Sequence, residues 1–158
     1  MVGRIDPDGS AAAQMDAIGK QLDDLVKVTE DLRPIWPEVG QAFSERQNEI
    51  FRTGGRGRWA PLAASTLMKK ASTSLSASAI LVHSGLLRDA ATNANPINAR
   101  EQSAEFGVPA ANPSRAYAQY HIKGNGVPQR NPLPKFTPVE RSTLIKIIRR
   151  RIQKVLEA

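Results

Sequence analysis

The chain contains no cysteine and only two histidines, His83 and His121. Without thiols there is no disulfide framework, no thiolate metal site and no cysteine nucleophile. Neither histidine belongs to a spaced ligand motif such as H-E-x-x-H, so both read as structural side chains rather than as metal ligands or proton shuttles. Long apolar runs are lacking too. None approaches the roughly 18 residues that span a bilayer, and the opening MVGRIDPDGSAAAQ has no apolar signal core. Acids are scarce after residue 60, where only Asp89, Glu101, Glu105, Glu140 and Glu157 occur. A metal-dependent nuclease needs several carboxylates converging on its ion, and this set is too sparse to build one. Together these absences point away from an enzyme, with no cofactor and no metal expected.

Aromatic residues make up 5% of the chain and apolar residues 41%, against 11 glycines and 11 prolines. At 158 residues that composition suits one domain with a single modest core and a large share of loop, which assembly with other chains would stabilise. Charge is unevenly placed. Residues 1–60 carry ten acids against eight bases, whereas residues 111–158 carry ten bases against two acids. Such polarity suits contact with acidic partners or nucleic acid, or a solvated basic helix face.

Residues 1–10 hold the turn sequence Asp6-Pro7-Asp8-Gly9 and read as a flexible arm. From residue 11 to 32, Met15, Ile18, Leu22, Leu25, Val26 and Leu32 recur at helical spacing, predicting an amphipathic helix with one buried stripe. Pro34 ends it and opens a second helix to about Arg52. The expected core stripe there is Ile35 or Trp36, Val39, Ala42, Phe43, Ile50 and Phe51, with Glu38, Glu45, Arg46, Gln47 and Glu49 facing water. Thr53-Gly54-Gly55-Arg56-Gly57-Arg58 then reads as a flexible hinge, and Trp59 before Pro61-Leu62 as the side chain that pins it. The run lacks the Gly-Lys-Ser/Thr ending of a phosphate loop, and one arginine-glycine run is a weak nucleic-acid signal.

Beyond it, residues 53–83 form a glycine loop and extended arm, with a short helix starting at Ser65–Lys70 and a mobile STSLSASA run. Ser84 and Ser114 are candidate caps of short helices. Ala104, Phe106 and Val108 alternate with polar residues as one strand of a hairpin, whose partner is either Ile97–Arg100 or the segment around Ala90. Thr137-Pro138-Val139-Glu140 supplies a capping box and a first-turn proline for a C-terminal helix with apolar Leu144, Ile145, Ile148, Ile152, Val155 and Leu156. The fold class expected is therefore α+β: N-terminal helices (11–52) and a long C-terminal helix (137–158) packed on a small antiparallel sheet within 84–136, with extended arms and loops.

Several of these segments carry a resemblance. The order Phe51, glycine loop, Trp59-x-Pro61-Leu62, Thr66–Lys70, Ile80-Leu81-x-x-Ser84-Gly85-x-Leu87 resembles the phage virion morphogenesis, or tail completion, family. Tyr117-Ala118-x-x-His121-x-x-Gly124 is similar to that family's Tyr-Ala-x-x-His-Gln-Phe-Gly, with Ile122-Lys123 in place of Gln-Phe. Val127-Pro128-x-Arg130-x-Pro132-Leu133 parallels its Ile-Pro-Ala-Arg-Pro-Phe-Leu, with Asn131 where a proline stands. The resemblance runs from Phe51 to the end, about two-thirds of the chain. It implies a structural neck protein of a tailed bacteriophage, placed in the virion and assembled in the host cytoplasm. Its expected partners are copies of itself in a closed ring, taken as a hexamer, then the head-closure or connector proteins and the tail terminator or tail tube proteins. DNA passes through the lumen, and no membrane is involved. Trp59, Pro61, Leu62, Leu81, Gly85, Leu87, Tyr117, Ala118, His121, Gly124, Pro128 and Arg130 are the structural anchors it implies, with His121 near a subunit contact.

The alternative is a nonspecific DNA-binding protein that uses the basic C-terminal helix. Arg149, Arg150, Arg151 and Lys154 would neutralise phosphates, or meet an acidic partner, or complement the helix dipole. No aromatic residue is interleaved with them, so base stacking is not supported.

Overall fold

Pro34 and Pro37 shape the N-terminal third. The structure, a computed structural model, describes residues 10–73 and 78–157. Helix α1 spans Ser10–Glu30, a single 3-10 turn covers Arg33–Ile35, and α2 runs from Trp36 to Arg52. Each proline sits in a first turn, where its missing N–H costs no hydrogen bond. The elbow is tied down from a distance: the Leu32 N–H donates to the Glu101 carbonyl at 2.7 Å and the Trp36 indole N–H to the Arg100 carbonyl at 2.8 Å.

α2 is the central element because both ends of its apolar stripe reach a core. Ile50 and Phe51 enter the larger cluster, with Trp59, Leu81, Val82, Leu87, Ala90, Ala91, Val108 and Ala118. Ile35, Trp36 and Val39 form the smaller one, covered by Leu32, Ala104, Phe106, Leu144, Ile147 and Ile148. Phe43 adds ring contacts to Phe106 at 5.4 Å and Phe136 at 6.4 Å. Each large side chain removed from water in this way contributes about 2 kcal/mol. Gly40 allows close approach: a Cβ there would lie 1.9 Å from the Ala94 carbonyl oxygen.

Arg46 and Gln47 correct the expected wheel, being only 9% and 1% exposed. Arg46 is buried because it is fully engaged. Its guanidinium pairs with Glu140 at 2.8 Å, donates to the Pro134 and Lys135 carbonyls, and lies 4.2 Å above the Phe136 ring. With its amide oriented to suit both neighbours, Gln47 accepts from Arg46 Nη1 at 2.9 Å and donates to the Pro132 carbonyl at 3.0 Å.

α1 departs from expectation in the opposite sense. Its predicted core residues Met15, Ile18, Leu22 and Val26 are between 50% and 68% exposed. The half-buried positions are Asp24, Leu25 and Val28, where α1 lies alongside α6 (Pro138–Leu156). At about 100° per residue those positions point a third of a turn away from the apolar stripe. The stripe and the packed face therefore do not coincide.

Residues expected as extended arm are helical in part: α3 covers Ala64–Thr73 and is exposed except at Lys70. The STSLSASA run expected to be mobile begins in α3 at Ser72 and Thr73, and its middle, residues 74–77, lies outside the described residues, as does most of the expected N-terminal arm, residues 1–9. Between residues 84 and 136 helix outweighs strand. Helix α4 spans Leu86–Ala91 and α5 Ser114–Lys123, while the sheet is one antiparallel hairpin of β1 (Asn98–Ala99) and β2 (Ala104–Glu105). Asn98 pairs with Glu105 and Ala99 with Ala104, so Ile97–Arg100 holds the partner strand. Ala90 and Ala91 are instead buried in α4. The strand stops short of Val108 because Gly107 turns at φ 137° and Val108 drops into the larger core.

The serine caps are corrected as well. Gly85, at φ 85°, precedes α4 and Pro113 precedes α5, neither with a side-chain cap, while Asn112 Oδ1 accepts from the Ser114 N–H at 2.9 Å. The Thr137–Glu140 box is present in both directions at the start of α6. The chain is thus mostly helical with one small antiparallel sheet, an α+β arrangement in the broad sense. Among the described residues no helix is long and apolar enough to cross a membrane.

Candidate functional site

The segment Thr53–Arg58 is a tight left-handed turn, which corrects its reading as a flexible hinge. Gly54, Gly55, Arg56 and Gly57 have φ of 58°, 70°, 59° and 74°. Their N–H groups reach back to close α2: Gly55 donates to the Ile50 carbonyl at 2.7 Å and Gly57 to Thr53 at 2.9 Å, while Trp59 donates to Gly54 at 3.0 Å. The glycines are there for handedness rather than mobility. A Cβ at Gly55 would stand 2.3 Å from Trp59 Cδ1, so the indole is seated directly on the turn.

That indole joins the first of three segments in a clasp. Trp59 packs edge-on against Phe51 with ring centroids 5.5 Å apart, and its N–H donates to the Asn131 carbonyl at 3.2 Å. Arg130 completes the connection. Its Nε donates to the Ala60 carbonyl and Nη2 to the Pro61 carbonyl, both at 2.8 Å, while its backbone N–H donates to His121 at 2.8 Å. At 6% exposure this guanidinium is held by carbonyl dipoles, and it staples residues 59–61 to residues 128–132.

α5 supplies the third segment. Gly124, at φ 72°, ends the helix with its N–H on the Tyr120 carbonyl, so the chain turns back towards Arg130. Ala118 and His121 face inward, at 3% and 4% exposure. The Tyr117 ring stands edge-on to His121 at 4.6 Å, and Pro128 O lies 3.5 Å from His121 Nδ1. Burial pulls the imidazole below its ordinary range, more than the Pro128 carbonyl restores, and the Arg130 charge acts in the same direction as burial. His121 is therefore a neutral, packed ring near pH 7.

These segments surround an open cleft of 520 Å³ whose walls include Pro61, Leu62, Leu81, Tyr117, His121, Pro128 and Arg130. Gly85 and Leu87 line a smaller one of 240 Å³ that shares Leu81 and Tyr117. Nine of the twelve anchors line these two clefts, and Trp59, Ala118 and Gly124 do not. Leu81 turns at φ 60°, an unusual conformation for a branched residue, and is buried in the core.

Two charged residues central to the packing escaped the sequence reading. Lys70, 8% exposed, extends from α3 to the Ala79 carbonyl, and burial lowers its ammonium. Glu140 is more than a capping residue, because it also binds Arg46 and Arg56. Burial alone would raise its carboxyl, but hydrogen bonds from the Thr137 N–H, Arg56 and Arg46 outweigh that and hold it at about 2. The three residues are separated by up to 94 positions, so no local signal joins them.

The basic residues of α6 do not form one surface. Arg149, Arg150, Arg151 and Lys154 are exposed, but consecutive helix positions diverge by about 100° and Arg150 turns aside to pair with Glu38 of α2. Among the described residues no group of three or more His, Asp or Glu is arranged to hold a metal ion. What the clasp does chemically is satisfy backbone carbonyls and fix three segments. Comparison of the chain with protein-family profiles, with curated proteins and with solved structures finds no match.

Proposed function

We propose that this chain is a structural virion protein of the phage neck, which forms a closed ring joining the head connector to the tail. The observation that carries the reading is the convergence of the motif-bearing segments, residues 59–62, 81–87 and 117–130, on two adjoining clefts, with the Arg130 guanidinium and the His121 imidazole committed to packing. In a scaffold those groups need to hold shape, and they do. Exposed apolar side chains on α1, α3 and α6 supply surface for neighbours: Met15, Leu22, Met68 and Val139 are each more than half exposed.

In this reading the clasp, the hairpin and the C-terminal helix form the body of each subunit. α1 and the α3 arm reach towards adjacent copies, and DNA passes through the lumen with weak contacts at most. The mechanism is assembly: surface that is costly to leave in water is buried only when the next copy or the connector arrives. Native mass spectrometry of the purified chain should give a closed oligomer with six copies as the expected number, and density for the chain should lie between head and tail in an intact virion. A strictly monomeric chain that joins neither purified connectors nor tails overturns the reading.

The exposed Arg149, Arg151 and Lys154 favour a second reading, nonspecific DNA binding. It requires a gel shift that weakens with salt and disappears on neutralising those residues; no binding at low salt removes it.

A further inference from the structure

α1 carries an apolar stripe that is left exposed among the described residues. Met15, Ile18, Leu22 and Val26 follow one another at intervals of three and four residues and are all at least half exposed. They make an apolar seam about 16 Å long. Asp16, Asp23 and Glu30 recur every seven residues along its border, and all three are exposed. The whole helix carries more acid than base.

α6 carries the complementary edge. Arg141, Ile145, Arg149 and Ile152 lie on one side of the helix at intervals of four, four and three, again about 16 Å in length. Ile145 is 48% exposed, and Arg141 and Arg149 are exposed on either side of it. None of the ion pairs among the described residues joins α1 to α6, so the acids of one and the bases of the other are not spent on each other within the chain.

We propose that the α1 seam with its acidic border docks on the Arg141–Ile152 edge of α6 in a second copy of this chain, forming the head-to-tail contact of the ring. Charge decides between the available partners. Two α1 seams placed together confront acids with acids, whereas α1 against α6 sets Asp16, Asp23 and Glu30 opposite Arg141 and Arg149 while burying Leu22 and Ile145. The contact joins two different patches, which is what a closed cyclic assembly requires. The proposal rests on the ring reading and names the faces that meet.

The absence of native cysteine makes a direct test available. Chains carrying Leu22→Cys and chains carrying Ile145→Cys are mixed under mild oxidation. The mixed disulfide should form about tenfold or more faster than between Leu22→Cys chains and chains carrying Gln119→Cys on exposed α5. In parallel, Ile18→Glu/Leu22→Glu and Arg141→Glu/Arg149→Glu variants should each lose self-association by light scattering while keeping the wild-type circular dichroism spectrum. Preferential cross-linking of Leu22→Cys chains to one another overturns the proposal in favour of an α1–α1 contact. Oligomers that persist in both charge variants also overturn it and leave the ring reading standing. A wild-type chain that is monomeric at every concentration removes the ring reading itself.

Discussion

Around Arg130 polar and apolar needs are met within the chain: two carbonyls on one guanidinium, an indole on a glycine turn, a neutral imidazole against a tyrosine. Along α1 the same kinds of residue are left open, with four apolar side chains in water and a row of acids beside them. The clasp draws on residues about 70 positions apart, while α1 lies alongside α6 with Asp24, Leu25 and Val28 half-buried. A fold that finishes one half so thoroughly and leaves the other bare separates two tasks, holding shape and meeting a partner. Stability should therefore be concentrated in the clasp and association in the α1–α6 layer.

The sharpest way to break that division is at Arg130. Arg130→Ala removes a buried guanidinium from the less buried Ala60 and Pro61 carbonyls, where hydrogen bonds to a charged group contribute about 1.5–3 kcal/mol each. The expected loss is roughly 3 kcal/mol in denaturant unfolding, of which Arg130→Lys recovers only part because an ammonium lacks the planar fork. A loss below about 0.5 kcal/mol, the range of an ordinary surface change, would mean that the clasp is not where stability resides.

Acid should act on Glu140 next. Its carboxyl lies at about 2 in the folded chain against 4.5 unperturbed, so the native state favours the ionised form. That stabilisation is complete above the unperturbed value and declines as pH falls towards 2, reaching roughly 3 kcal/mol in total. Unfolding measured across this window should show the decline in the wild type, and Glu140→Gln should flatten it. Gly55→Ala tests the turn beneath the indole. Positive φ and the approach to Trp59 together should cost about 2 kcal/mol, read as a lower melting temperature.

The smallest effect on the isolated fold belongs to the exposed seam. Ile18→Glu/Leu22→Glu should change the stability of the monomer by less than about 0.5 kcal/mol. The wild-type melting temperature should rise with protein concentration and that of the variant should not, because only the former gains from mass action. A large loss of monomer stability in this variant would erase the contrast between the two halves.

Much of the local structure was legible. Pro34, the Thr137–Glu140 box and the Trp59-x-Pro61 sequence act over a few residues, and each lies at the start of an element or in the core as its chemistry requires. The hairpin partner was narrowed to two segments, and β1 falls in one of them. Burial was less legible. Arg46 and Gln47 looked like solvent-facing positions because the Glu140, Pro132 and Phe136 groups that receive them lie some 85 to 94 residues away. The glycine run was misread because flexibility and left-handed order share a composition, and only the Ile50, Thr53 and Gly54 carbonyls distinguish them.

By itself the amino-acid order determined the helix starts at Pro34 and at the Thr137–Glu140 box and that no thiol chemistry is available, since these depend on composition or on groups within a turn of one another. Tertiary structure alone decided which apolar stripe is covered and which charges are buried. Periodicity defines a face but not what lies opposite it, and on α1 the face that packs and the face that is apolar differ by about a third of a turn.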